Sequence, residues 1–182
     1  MYGTESIPIS INLAPGLYAS STTDERFPLP LINYVAIVGS DNACNVVIDA
    51  ETAPGVFTGH GDTASISGVT LTGSSRSGLF AEQSSITLDN CVVRDNMRID
   101  HPGDDPDNGG GGIASYNSDL IVSHCTIENN ASTQSGGGIL FVNPLDFPTT
   151  LSVSDTMIQN NSAAIDGGGV YCELELIDPI GT

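Results

Sequence analysis

The sequence is built from short runs in which apolar and polar positions alternate, separated by turn residues, and these runs recur along the chain. Each unit opens on a glycine followed by an apolar residue and closes on an apolar-x-apolar run that ends in asparagine. The clearest copies span residues 78–96, 112–130 and 138–161. Alternation with a period of two predicts β-strands, and no helical period competes with it. Units this short bury no core singly, so they are expected to stack on one another.

Fainter copies extend the series in both directions. The opening glycines fall at positions 55, 78, 112, 138 and 169, at intervals of 23, 34, 26 and 31 residues. Unequal intervals predict a constant core unit with loops of variable length. We therefore divide a single domain, 1–182, into the following parts: an N-terminal coil region 1–54, coils 55–77, 78–111, 112–137 and 138–168, and an incomplete last coil 169–182.

Each coil is expected to contribute three short strands whose alternate side chains point inward. The first strand is expected to bury Leu79/Ala81, Ile113/Ser115, Ile139/Phe141 and Val170/Cys172. The second is expected to bury Ala64/Ile66, Ile86/Leu88, Leu120/Val122 and Leu151/Val153. The third is expected to bury Val69/Leu71, Cys91/Val93, Cys125/Ile127 and Thr156/Ile158. The predicted fold is all-β, a single parallel β-helix of about five to six coils.

These repeats resemble the right-handed parallel β-helix superfamily, which is pectate-lyase-like. The Gly-Gly-Gly-Ile runs that end at Ile113 and Ile139, and the Asn-Asn closures, are similar to repeats of bacterial surface and secreted proteins, including polymorphic outer-membrane proteins. Residues 11–18, 37–40 and 47–49 resemble the first coils of such proteins, so the likeness covers about residues 7–176. It implies a secreted or cell-surface location. Its motifs are structural and bring no catalytic residue with them.

Two columns of side chains are expected to stack inside the coils. Asn96, Asn130 and Asn161 would lie one above another at a strand spacing of about 4.8 Å, bonding as an amide ladder. Cys91 and Cys125 share one inward position in successive coils, which makes them small core residues in the first place. A disulfide between them is the alternative, with strained geometry. No Cys-x-x-Cys or Cys/His spacing points to a metal.

Charge narrows the choice of partner. Four basic against 22 acidic residues give a formal net charge of −18 in 182 residues. This excess argues against nucleic acid and anionic membranes, and also against a bare polyanionic polysaccharide. The ligand is then neutral, or bridged by calcium, or there is none. No apolar run approaches the roughly 20 residues of a membrane span, and residues 1–4 do not resemble a signal peptide. Both chain ends look cut, which predicts either a fragment of a longer surface protein or end-to-end association.

The first strand of each coil differs from the others on its outward side, where it is apolar and aromatic. The predicted outward column is Phe57, Phe80, Ala114, Leu140 and Tyr171, with Tyr116 and Val142 beside it. Exposed apolar patches of this kind usually bind something. Three occupants are open: a sugar chain stacked on the rings, a second protomer, and a long loop of the same chain. A homo-oligomer through this face or through open coil ends is therefore among the expectations.

The longest insertion, residues 97–111, is acidic and glycine-rich. Calcium binds six to eight oxygen atoms, and carboxylate and amide side chains supply them. The candidate ligands in this insertion are Asp100, Asp104, Asp105, Asp107 and Asn108. The spacing does not match an EF-hand, and a solvated acidic turn is the alternative. No cofactor is required by any other motif.

Two short fragments resemble parts of polysaccharide-cleaving enzymes. Gly59-His60-Gly61 is similar to a polygalacturonase triplet, although the paired Asp residues expected before it are absent there. Ile99-Asp100-His101 is similar to part of a pectate-lyase motif. Glycoside hydrolysis needs two carboxyl groups at a set separation, one of them an acid. The candidate catalytic residues are Asp100, Asp104, Asp105 and Glu82, with His101 as a proton carrier.

The function that the sequence favours is a non-catalytic secreted or cell-surface module that binds glycan or protein through the first-strand face. Two alternatives stay open. One is a polysaccharide lyase or glycoside hydrolase with its site at residues 100–107, and the other is a structural fragment of a larger surface protein.

Overall fold

A computed structural model describes residues 3–39, 42–99, 109–144 and 148–175. Its strands, in chain order, are β1 (Ile9–Asn12), β2 (Gly16–Ala19), β3 (Leu29–Pro30), β4 (Val35–Val38), β5 (Val46–Asp49), β6 (Gly55–His60), β7 (Thr63–Ser67), β8 (Thr70–Thr72), β9 (Ser77–Glu82), β10 (Ser85–Asp89), β11 (Val92–Arg94), β12 (Met97–Arg98), β13 (Ile113–Tyr116), β14 (Asp119–Ser123), β15 (Thr126–Glu128), β16 (Ala131–Ser132), β17 (Ile139–Pro144), β18 (Leu151–Ser154), β19 (Met157–Gln159), β20 (Ser162–Ala163) and β21 (Val170–Glu175). A one-turn helix, α1 (Ser20–Thr23), and a 3-10 turn (Ala43–Asn45) lie among the first strands.

The strands stack in parallel, one coil upon the next, into four sheets. The first sheet runs β3-β6-β9-β13-β17-β21, the second β1-β4-β7-β10-β14-β18, and the third β2-β5-β8-β11-β15-β19. The predicted single parallel β-helix is confirmed, with about five coils where five to six were expected. A fourth sheet, β12-β16-β20, was not predicted, because strands of two residues are too short to show an alternation.

The register of the second and third sheets matches the predicted inward positions. Ile86 pairs with Ala64 below it and Leu120 above it, and Ile127 pairs with Val93. These five side chains are at most 7% exposed and belong to one continuous apolar core. The core is therefore a stack of like side chains, each contacting its equivalents in the neighbouring coils.

The chain turns at three corners in each coil, and in the described residues of the central coils a residue with left-handed backbone stands at these corners. The residues with positive φ are Gly61, Gln83 and Asn117 between the first and second strands, Gly68, Asn90, His124 and Asp155 between the second and third, and Gly73, Asp95, Asn129 and Asn160 after the third. Gly, Asn and Asp tolerate this conformation best, which explains why they close each run in the sequence.

The residue after each third-corner turn points into the solenoid and bonds along its axis. The Nδ2 group of Asn96 donates to Oδ1 of Asn130 at 3.0 Å, and that of Asn130 donates to Oδ1 of Asn161 at 3.0 Å. Each of these oxygens also accepts the backbone N–H of the asparagine one coil earlier, at 3.1 and 2.9 Å. Ser74 ends the column, its N–H donating to Oδ1 of Asn96.

The cysteines hold the equivalent place at the second corner. The backbone N–H of Cys91 donates to Sγ of Cys125 at 3.4 Å, and the two thiols donate to the carbonyls of Asp89 and Ser123. Both thiols are free and buried. The hydrogen bond with Cys125, together with burial, raises the pKa of the Cys91 thiol, so that thiol stays protonated at neutral pH.

The last described coil keeps its inward register but not the burial that was predicted for it. Val153 and Val170 are 39% and 38% exposed, and Cys172 is also exposed. The prediction of burial there is wrong, since within the described residues no further coil stacks on these strands. Partners on one side alone leave half of each side chain in contact with solvent.

Candidate functional site

The outward side of the first sheet presents two columns of side chains, set by the pairing of its strands. One column contains Pro30, Thr58, Phe80, Ala114, Leu140 and Tyr171, and the other His60, Glu82, Tyr116, Val142 and Glu173. This is the face that the sequence predicted, except that Thr58 stands where Phe57 was expected.

Phe57 does not belong to this face, which corrects the prediction. It pairs with Leu79, points into the core and is 1% exposed. The outward place is taken by Thr58. The error is a slip of one residue, because Gly55 pairs with Ser77 and not with the similar Gly78. In a strand such a slip moves every side chain to the other face.

Part of the predicted face is covered by the chain itself. Ala114 and Leu140 are each 1% exposed although they point outward. The glycine turns before these strands fold over them: a Cβ on Gly136 would lie 2.7 Å from that of Leu140, and one on Gly110 would lie 2.8 Å from that of Ala114. Of the predicted face, Leu140 is thus inaccessible, whereas Phe80, Tyr116 and Tyr171 stay partly exposed.

Three rings from successive coils meet on the accessible part, and we call them the ring row: His60, Phe80 and Tyr116. The ring centroids of His60 and Phe80 are 5.5 Å apart, and those of Phe80 and Tyr116 are 5.6 Å apart. The ring planes are tilted by 47° and 35°. The ring row therefore runs along the solenoid axis over β6, β9 and β13.

A polar network borders the ring row. Nδ1 of His60 lies 3.0 Å from Oε2 of Glu82, and Nε2 lies 3.0 Å from Oγ1 of Thr58. The backbone N–H of His60 donates to Oδ2 of Asp62. The side chains of His60 and Glu82 are 59% and 49% exposed, so their polar atoms face solvent beside the rings. The sequence pointed to Glu82 as a candidate and to His60 as part of an enzyme-like triplet, but it did not predict that the two side chains meet, because neighbours across coils are far apart in the chain.

A cavity of about 230 Å³ adjoins Phe80 on the other side. Two arginines, Arg76 and Arg98, line it together with Thr58 and Ser77. Half of the four basic residues of the chain thus lie at this place. The sequence did not predict this cavity, and the scarcity of basic residues in so acidic a chain is the signal that could have drawn attention to the two arginines.

The remaining predicted catalytic and calcium-binding residues lie outside the described residues. These are Asp100, His101, Asp104, Asp105, Asp107 and Asn108. Calcium binding there stays a prediction. Among the residues that the structure describes, no group of three or more His, Cys, Asp or Glu could hold a metal ion. Within the same part of the chain, no helix is long and apolar enough to cross a membrane.

A second charged contact lies at a corner far from the ring row. Nδ1 of His124 lies 2.8 Å from Oδ1 of Asp89, which also accepts from Oγ of Ser123 at 2.7 Å. The hydrogen bond and charge of Asp89 raise the pKa of His124. The bonds from His124 and Ser123 lower the pKa of Asp89 in return. This contact links two coils and stands apart from the candidate site.

Comparison with known proteins adds one finding. A family model described as a right-handed beta helix region matches residues 35–175, which include the ring row, the asparagine column and the two stacked cysteines. No curated protein and no solved structure gives a match.

Proposed function

We propose that this chain, which belongs to the right-handed β-helix family, is a non-catalytic secreted or cell-surface module that binds a neutral glycan along its ring row. The observation that supports this function is the set of three rings from successive coils, spaced 5.5 and 5.6 Å apart on an accessible face.

Aromatic rings suit sugars because a pyranose presents flat C–H faces as well as hydroxyl edges. An aromatic side chain offers a large, stiff apolar surface at little cost in conformational entropy. Rings repeated along the axis match a polymer better than a single small molecule. A linear glycan would lie along the axis, with successive sugars over Phe80 and Tyr116.

The polar border supplies the hydrogen bonds that orient such a ligand. Glu82 offers an exposed carboxylate as acceptor, and His60 and Thr58 offer groups that accept or donate. A few placed polar groups around an apolar surface are the usual composition of a ligand site. The net charge of −18 favours a neutral chain over a polyanion.

A polysaccharide-cleaving enzyme is the second candidate, and the pair of Glu82 and His60 favours it. A carboxylate within 3.0 Å of an imidazole could move a proton at a sugar held on the rings. Cleavage would then require a second acidic or basic group at a suitable distance from the bound sugar.

One experiment separates the two candidates. The purified protein is screened against neutral and acidic polysaccharides, with calcium and with chelator, and both retention and release of new chain ends are recorded. Retention of a neutral glycan without new ends is the expected result. New ends that disappear in Glu82→Gln would identify an enzyme. Absence of retention on every polysaccharide would contradict both proposals and leave a structural role.

A further inference from the structure

The ring row alternates between the two outward columns of the first sheet. His60 and Tyr116 stand in the column that also contains Glu82, whereas Phe80 stands in the other column. Three successive coils, those of β6, β9 and β13, thus contribute one ring each, on alternate sides of a line along the axis. Each step combines the strand spacing of about 4.8 Å with a sideways displacement, and the ring centroids are 5.5 and 5.6 Å apart. The ring row is therefore a zigzag with the period of the coils.

We propose that the ring row is specific for an extended, β-1,4-linked neutral glycan, bound parallel to the solenoid axis with one sugar on each coil. This specificity presupposes the glycan binding proposed above and adds the linkage of the ligand. A β-1,4-linked pyranose chain is a flat ribbon that advances by the length of one sugar at each linkage, a length close to the spacing of neighbouring strands. Successive sugars therefore occupy successive coils without a break in register.

The orientation of the sugars matches the zigzag as well as their spacing. In a β-1,4-linked chain each sugar is inverted relative to its neighbours, so equivalent edges point to alternate sides of the ribbon. Sugars over His60 and Tyr116 have one orientation, and the sugar over Phe80 has the inverted one. An α-1,4-linked chain coils instead of extending, so its successive sugars leave the straight line of the rings. The aromatic faces then contact fewer sugars, and less apolar surface is buried.

Glu82 supplies the polar contact for the middle sugar. It follows Phe80 by two residues on β9 and lies between His60 and Tyr116 in their column. Its side chain is 49% exposed, with Oε2 3.0 Å from Nδ1 of His60. A carboxylate accepts hydrogen bonds at both oxygens, and the hydroxyl groups along the edge of a neutral sugar donate them. An acidic sugar at this position would place a second carboxylate beside that of Glu82, which favours a neutral sugar.

The length of the ring row limits the length of glycan that it contacts. Beyond Tyr116, the next residues in the two columns are Leu140 and Val142, which are 1% and 7% exposed. These side chains offer no accessible surface on which a further sugar could stack. Affinity is therefore expected to rise up to the trisaccharide, one sugar for each ring, and no further.

The test compares trisaccharides that differ in linkage. The probes are the β-1,4-linked trimers of glucose, mannose and N-acetylglucosamine. Maltotriose is the control, because it contains the same glucose units joined by α-1,4 linkages. Binding is measured by calorimetry, together with that of the dimer and the tetramer of the tightest β-linked probe. We expect that probe to bind at least about tenfold more tightly than maltotriose, with its dimer weaker and its tetramer no tighter than the trimer.

A variant at the end of the ring row tests the register of one sugar per coil. His60→Ala removes the first ring and should abolish the gain in affinity from dimer to trimer. Thr87→Ala, on the outward side of the second sheet, is the control and should keep that gain. Thermal melting checks that both variants are folded. A gain that persists in folded His60→Ala would overturn the register.

Failure of the linkage and failure of glycan binding give different results. Retention of a neutral polysaccharide without binding of any β-1,4-linked trisaccharide would overturn the linkage alone, and so would equal binding of maltotriose. If no neutral polysaccharide is retained, the proposed glycan binding fails together with the linkage.

Discussion

At the scale of single residues, the geometry of the coil corners explains why each repeat closes on asparagine. A left-handed residue turns the chain, and the next side chain points inward, where its acceptor atom receives the N–H of its equivalent one coil earlier. Buried backbone groups need such partners, because an unpaired one costs about 1–3 kcal/mol. Asparagine serves best, since its amide both accepts from one coil and donates to another.

Replacement of Asn130 by alanine tests this role. Asn130 is 1% exposed, and its loss would leave the N–H of Asn96 buried without its acceptor and would remove the bonds that its amide donates to the carbonyl of Val93 and to Oδ1 of Asn161. We expect the free energy of unfolding to fall by about 3 kcal/mol, as measured by chemical denaturation. Gln159→Ala, which removes one exposed bond to Glu128, is the control and should change it by less than about 0.5 kcal/mol. Equal effects of the two variants would contradict the ladder.

The contact between His124 and Asp89 predicts a measurable titration. The pKa of His124 should lie above its ordinary 6.5, and Asp89→Asn should lower it toward that value. Stability from the raised histidine is fully present below pH 6.5 and is lost as pH rises through the folded pKa. Stability from the lowered Asp89 is present above pH 3.8 and is lost as pH falls through its folded pKa. The contact therefore stabilises the fold fully between about pH 3.8 and pH 6.5, and its contribution is lost outside this range as each folded-state pKa is passed. An NMR titration of the His124 ring that is unchanged in Asp89→Asn would refute the assignment.

At the scale of elements, the sequence predicts strands and their register well where the alternation of apolar and polar residues is long. It fails where a short local motif occurs one residue out of register or where a turn has no periodicity. The second and third strands show clean alternation, so their register could be predicted for the central coils. Phe57 was misplaced because Gly55 imitates the glycine that opens later coils. The sequence did not predict that the glycine turn at Gly136 covers Leu140, because a run of glycines has no periodicity from which its position over the strand could be read.

A pair of isoleucines in one coil tests the inward assignment. Ile127→Asp places an unpaired charge in a position with 0% exposure, and we expect the cooperative thermal transition to be lost. Ile121→Asp makes the same chemical change at an outward position, 44% exposed, and should leave the transition nearly unchanged. Cooperative melting of Ile127→Asp at the temperature of the parent protein would show that the assignment of faces is wrong.

At the scale of the whole molecule, stacking assembles a site that no local motif contains. His60, Phe80 and Tyr116 are separated by 20 and 36 residues in the sequence, yet they meet on one face because coils of unequal length share one register. From the outward column, the sequence predicts a role for the aromatic rings of Phe80 and Tyr116 but not for that of His60. The partnership of His60 with Glu82 could not be predicted, because it depends on the pairing of β6 with β9.

The most direct measurement compares the affinity of one retained neutral glycan for the parent protein, for Phe80→Ala and for Tyr116→Ala, by calorimetry. The matched control is Thr87→Ala, on the outward side of the second sheet. Loss of a stacked ring should weaken binding by about tenfold or more in each ring variant, and the control should bind as the parent does. Unchanged affinity in both folded ring variants would contradict a binding site at the ring row.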